Sequence, residues 1–85
     1  MITTCRYPSK ETREKAKEIA GKHKEKYISR GKHTIETLVE MARKRGDKQI
    51  KIVKETSKKP KTIAIIKINE NQDWTWSKTM DIGEA

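Results

Sequence analysis

Phenylalanine is absent from these 85 residues, and there are only two tryptophans, two tyrosines, two prolines and one cysteine. With no phenylalanine and few aliphatics, Trp74 and Trp76 are expected in the core, although indole rings can also stack on nucleobases. The lone Cys5 excludes a disulfide framework and fits a reducing, cytoplasmic compartment. No run approaches the roughly 18 apolar residues a membrane span needs, and the N-terminus lacks the pattern of a signal peptide. Basic helices without a wide apolar face also fit a membrane surface poorly. Catalytic equipment is missing too. Cys5, His23 and His33 have no metal-ligand spacing, no glycine-rich phosphate loop is present, and no Ser-His-Asp or Cys-His set emerges. The sequence reads as a non-enzyme with no metal and no cofactor.

What is present is charge. Lys and Arg number 21 against 12 Asp and Glu, a net charge of +9. The excess is uneven: residues 1–62 carry 19 basic and 8 acidic side chains, whereas residues 63–85 carry 2 and 4. A basic body with a weakly acidic tail fits a polyanion-binding surface better than a uniformly solubilising coat. Charged residues make up 39% of the chain and apolar ones 32%, close to the disordered range, but the apolar positions are periodic and argue for a fold. The length fits one domain over residues 1–85 that buries only about 60–65% of its unfolded surface, so a bound partner would add to its stability.

The opening "MITTC" is β-branched and predicts a short strand. Pro8 disfavours helix at Tyr7, and Ser9 is a good N-cap. Thr12, Ala16, Ile19, Ala20, His23 and Tyr27 then recur at helical spacing. This stripe is thin enough for a helix to lie close to a sheet, with His23 expected half-buried. Gly21 weakens the last turn. Tyr27 and Ile28 fit a very short strand. Thr34 caps a second helix with apolar Ile35, Leu38, Val39, Met41 and Ala42, which Gly46 ends. "QIKIVKE" alternates as a strand does, and "SKKPK" reads as a turn because Pro60 cannot donate to a ladder. "TIAIIKIN" predicts a central strand and "DWTWSK" a further one, while "MDIGEA" carries no signal. The order of elements predicts an α/β fold, a small mixed sheet packed with two helices.

Two basic turns feed helix starts. Arg6 precedes the first, where unpaired N–H groups and a partial positive charge accept an anion. Arg6 could add a bidentate fork to the same phosphate. The alternative is that Arg6 decorates a turn whose N–H groups are met by Ser9 and water. The second turn, "SRGK", sets Arg30 and Lys32 around Gly31, which can take a positive φ ahead of Thr34. An ordinary glycine turn explains it equally. Helices lying side by side would point both N-termini the same way. Arg43, Lys44 and Arg45 fall in the last turn of the second helix, where cations suit the macrodipole without any ligand. Lys58, Lys59 and Lys61 form a tip that either reaches nucleic acid or is simply solvated. Tyr7 and Tyr27, like the tryptophans, are assigned to the core first.

Taken in order, "ITTCRYPSKETRE", "AKEIA" and "YISRGK", followed by a helix rich in Leu, Val and Ala, resemble the N-terminal part of the Brix domain, above all its archaeal members. The match runs from Ile2 to about Ile68, with the strand pair of "KKPKTIAII" in the expected place. The elements "TT-x-R-x-PS" and "RGK" carry it together. Cys5 stands where the family usually has Ser, and Ser29 where Asn is common. Brix domains consist of two related α/β halves, and the resemblance covers one. The chain is either a natural half-length relative or a fragment, and Met1 with the early start favours an intact N-terminus. The resemblance implies a fold like the anticodon-binding domains of some aminoacyl-tRNA synthetases, ribosomal RNA binding, and a part in maturing ribosomal subunits. By position, Arg6, Pro8, Ser9, Arg13, Arg30, Gly31 and Lys32 match its motif.

The expected function is therefore that of an RNA-binding protein of the ribosome, either an assembly factor or a retained subunit component. The partners implied are ribosomal RNA, a subunit or pre-ribosomal particle, and neighbouring ribosomal proteins. Phosphate contacts are expected from Arg6, Ser9, Lys10, Arg13, Arg30, Gly31, Lys32, Arg43, Lys44, Arg45, Lys58, Lys59 and Lys61, with specificity coming from RNA shape. Two other classes compete: an Alba-like archaeal chromatin protein, and an interaction module that docks a protein along an open sheet edge.

Overall fold

Adjacent buried residues within one strand set the layers of this fold, which a computed structural model describes over residues 1–71 and 73–84. Strand β1 (Ile2–Thr4) is followed by helices α1 (Lys10–His23) and α2 (Ile35–Arg45). Strands β2 (Gln49–Thr56), β3 (Lys59–Ile68) and β4 (Trp74–Asp81) come next, and a 3-10 turn at Ile82–Glu84 follows. The four strands form one sheet in the order β1-β2-β3-β4. β1 runs parallel to β2, and the other pairs are antiparallel. Ile50 and Ile52 of β2 pack with Leu38, Val39 and Ala42 of α2, whereas Val53 packs with Ala16, Ile19 and Ala20 of α1. Successive strand residues point to opposite faces, so the two helices cover opposite faces and do not lie side by side. Each core is small. Fully burying a Leu or Ile contributes about 1.5–3 kcal/mol, and Leu38, Ile50, Ile63 and Ile66 are each at most 1% exposed.

The helix ends follow their caps. Ser9 Oγ accepts from the Thr12 N–H at 3.3 Å, and Thr34 Oγ1 from the Thr37 N–H at 3.2 Å. Gly46 ends α2 in the left-handed region. Helix α1 continues through Gly21, because an interior glycine costs only about 1 kcal/mol, and Lys24 caps it by donating to the Ala20 and Gly21 carbonyls. The chain reverses there, so the buried stripe stops at Ala20 and His23 is exposed rather than half-buried.

Two strand expectations also need correction. The β2–β3 turn contains only Ser57 and Lys58, both at positive φ as a type I′ hairpin requires. Pro60 lies inside β3 opposite Glu55, where the register shifts; a bulge tolerates a residue with no N–H. Trp74 packs on the α2-side core, but Trp76 is 52% exposed. Both lie on β4, but Trp74 shares a pocket with Glu36, Val39, Glu40 and Arg43 of α2, whereas Trp76, further along the strand, has Lys54 and Ala64 of the sheet as its neighbours.

The expected strand at Tyr27 and Ile28 is a single parallel bridge to Ile2, secured by the Ile28 N–H donating to the Ile2 carbonyl at 2.9 Å. It settles the topology. The chain leaves β1, crosses one face as α1, and returns outside β1 at Tyr27. It then reverses direction across the sheet, crossing the other face as α2 to reach β2. Right-handed crossovers in opposite directions put their helices on opposite faces. Both helices nevertheless start at the same end of the sheet, because each follows a segment running parallel to β1.

Candidate nucleic-acid interface

At that end, the chain leaves β1 toward one face and leaves the Tyr27 bridge toward the other. In open α/β sheets such divergence opens a crevice outside the strand ends, the usual place for a ligand. Here it is a cleft of about 380 Å³. One lip carries Thr4, Tyr7, Pro8 and Arg13, and the other Tyr27, Ser29, Arg30, Gly31 and Lys32. The two basic turns have become opposite sides of one opening.

Arg30 ties the lips together. Its Nε donates to the His33 carbonyl at 2.9 Å and its Nη1 to the Thr4 carbonyl at 3.0 Å. A guanidinium has five N–H donors, so three remain for a ligand. Burial lowers the Arg30 pKa, and the nearby Arg6 cation lowers it further. Arg6 is exposed, and none of the nine residues lining the cleft is acidic. The Arg6 and Arg30 guanidiniums therefore repel one another, a repulsion that a bound anion could neutralise. Gly31 has φ +50° with open space where a Cβ would stand, so the glycine serves the backbone bend and not a close approach. The bend closes with the His33 N–H donating to the Arg30 carbonyl at 3.0 Å.

The start of α1 is arranged differently from expectation. Glu55 reaches over from β2, and its Oε1 accepts from the Ser9 N–H at 2.8 Å. The Ser9 hydroxyl donates to the Lys58 carbonyl at 2.7 Å and lies 3.1 Å from Thr12 Oγ1. The Ser9 N–H, followed by the Thr12 hydroxyl, holds the Glu55 carboxyl below its ordinary range. The anion beside this helix start is thus supplied by the protein itself, and Ser9 clasps the β2–β3 turn to α1. Nearby Cys5 is half-buried; burial, then the Glu55 charge, raises its thiol pKa and keeps it protonated.

No protein-family model matches the chain, and no curated protein sequence does. Solved structures do match. A probable ribosomal biogenesis protein from Aeropyrum pernix K1 superposes with a TM-score of 0.81 and 24% identity, over 92% of this chain and 44% of that one. Mil, an archaeal Imp4-like protein, gives 0.71 and 26%, over 86% of this chain and 45% of that one. The protein has the fold of half a Brix domain. It spans less than half the length of either structure. The expected sheet with two helices is this Brix-type half.

Within the Brix-type half, the basic residues separate into two groups. Arg13, Arg30 and Lys32 line the cleft, and the charge of the exposed Arg6 acts on Arg30. Lys58, Lys59 and Lys61 are exposed at the same end, since β2 finishes there parallel to β1. Lys10 is exposed and 4.0 Å from Glu14 on the outer side of α1. Arg43, Lys44 and Arg45 lie at the opposite end, where α2 turns into β2, and Arg45 Nε pairs with Asp47 at 3.0 Å. One surface at the cleft does not reach them.

Tyr7, Tyr27 and Glu55 at this end escaped the sequence reading. Tyr7, expected in the core, is 91% exposed at φ 53°. Its position before Pro8 was a usable signal, since that position disfavours helix and hence burial on the α1 stripe. Pro8 and Tyr27 are the walls, with the Lys17 ammonium 5.6 Å from the Tyr27 ring centroid. Glu55 arrives from a strand 46 residues beyond Ser9, and no local pattern announces it. Among the described residues, no group of three or more His, Cys, Asp or Glu is placed to hold a metal ion. Among the described residues no helix is long and apolar enough to cross a membrane.

Proposed function

We propose that this Brix-type half is an RNA-binding unit of a ribosome-biogenesis protein, acting in subunit assembly or retained in the particle. It works in the cytoplasm, by binding and not by catalysis. Phosphates of folded ribosomal RNA seat in the cleft against Arg6, Arg13, Lys32 and the free N–H groups of Arg30. Lys58, Lys59 and Lys61 extend the same basic surface. The observation that carries this reading is a cleft lined by Arg13, Arg30 and Lys32 with no carboxylate among its described lining residues, at the divergence of two parallel segments, with Arg6 near enough to lower the Arg30 pKa. Support for the biological setting comes from the structural likeness to a probable ribosomal biogenesis protein.

Phosphate contacts release counterions, so the affinity for a structured ribosomal RNA fragment should fall steeply with salt. Each contact removed should reduce the log–log slope by roughly 0.9. Arg6→Ala with Lys32→Ala is expected to lower the slope by about 2, and Lys44→Ala with Arg45→Ala to change it far less. Equal losses from the two pairs would refute the cleft as the binding surface. A salt-independent affinity would refute phosphate contacts altogether.

A further inference from the structure

One side chain at the cleft has no role in the fold. Tyr7 is 91% exposed, and among the described residues it makes no hydrogen bond or ring contact. Its backbone is nonetheless held at φ 53°, a region that bulky side chains rarely adopt and that Gly or Asn would occupy with less strain. Neither packing nor hydrogen bonding within the protein explains an aromatic residue here. The ring stands on the lip that also carries Arg13, across from Arg30 and Lys32. The opening of about 380 Å³ lies within the roughly 300–1,000 Å³ of small-ligand sites.

We infer that Tyr7 stacks on an unpaired nucleobase whose phosphate is held in the cleft, so that the site takes a bulged or single-stranded nucleotide and not the uninterrupted backbone of a duplex. The inference rests on the proposed RNA binding and narrows its substrate. A nucleotide joins an anion to a flat π-surface through one sugar, and the cleft sets cationic forks beside one exposed aromatic face. Duplex RNA offers phosphates but keeps its bases stacked inside, which would leave Tyr7 unused. An acidic peptide would match the charge but gives no reason for the aromatic ring. Stacking on an exposed ring tolerates any base, so this site selects unpairedness rather than sequence.

The test uses the full chain and two RNA hairpins that differ by one bulged nucleotide, with 2-aminopurine at the bulge. The bulged RNA should bind about 5- to 150-fold more tightly than the continuous duplex, the range given by one base–aromatic stack. Its fluorescence should be quenched on binding. Tyr7→Leu should abolish both the preference and the quenching, while Tyr7→Phe retains them; because residue 7 is exposed, both variants fold. Equal affinity for the two hairpins, or an unchanged preference in Tyr7→Leu, overturns the inference. If binding to both hairpins still weakens steeply with salt, phosphate binding in the cleft stands without it. Failure to bind either hairpin overturns both. A Tyr7-dependent affinity for a poly-aspartate peptide, with Tyr7-independent RNA binding, overturns the inference in favour of a protein ligand.

Discussion

Replacing Tyr7 with asparagine should make the protein more stable. At φ 53° a bulky L-residue costs about 1–2 kcal/mol relative to ordinary backbone regions. Asparagine visits that region far more readily, so most of the cost disappears. Little is lost in exchange. The ring is 91% exposed, and burying a tenth of a side chain of about 200 Å² is worth only ~0.5 kcal/mol. The net gain is about 0.5–1.5 kcal/mol, which for a domain of this size raises Tm by roughly 2–12 °C. Scanning calorimetry would measure it directly. Glycine relieves the same strain but adds about 0.5–1 kcal/mol of unfolded-state entropy, so Tyr7→Gly should fall below Tyr7→Asn. Tyr7→Phe should leave Tm where it is. A Tm for Tyr7→Asn at or below that of the parent would show that the ring helps hold the fold, and the reasoning would fail.

Arg30 and Glu55 give two further predictions. Arg30→Lys keeps the charge but cannot span the Thr4 and His33 carbonyls, and should cost about 1–3 kcal/mol, seen as a lower urea midpoint with an unchanged m-value. Arg6→Ala, at an exposed position, should stay within about 0.5 kcal/mol of the parent. The Glu55 carboxyl is depressed in the folded state, so its contribution is fully present above the ordinary value of 4.5 and is lost as pH falls through the folded pKa. Thermal scans below pH 4.5 should therefore show a fall in Tm that is shallower in Glu55→Gln; identical acid limbs would mean that the Ser9–Glu55 bond does not form.

The helices were legible in the sequence because their signals are local. Ser9, Thr34 and Gly46 act within four residues of where they stand, and the stripe from Thr12 to Ala20 needs only one helix to be read. What escaped depends on distant partners. Gly21 looked like a weak point, but Lys24 supplies the cap a turn later. Pro60 looked like a turn until its opposite number, Glu55, proved to sit at a bulge. Trp76 alternates correctly with Trp74, yet burial depends on how far α2 extends over the sheet. For the site, Arg6 and "SRGK" were recognisable as basic turns. Their meeting depends on one backbone bridge at Tyr27, a single pair that no periodicity reveals. Glu55 at the start of α1 was invisible for the same reason.

Two helices on opposite faces that begin at one end of a sheet give this small domain an electrical front and back. Their macrodipoles point the same way, adding to Arg6, Arg13, Arg30 and Lys32 at the front. At the back stand the carbonyl ends of both helices, and two of the cations there are paired with acids: Arg45 meets Asp47, and Lys51 meets Glu25 at 2.8 Å. A polyanion approaching from solution would turn such a body before touching it, so that productive orientation precedes contact and capture slows as ions screen the field.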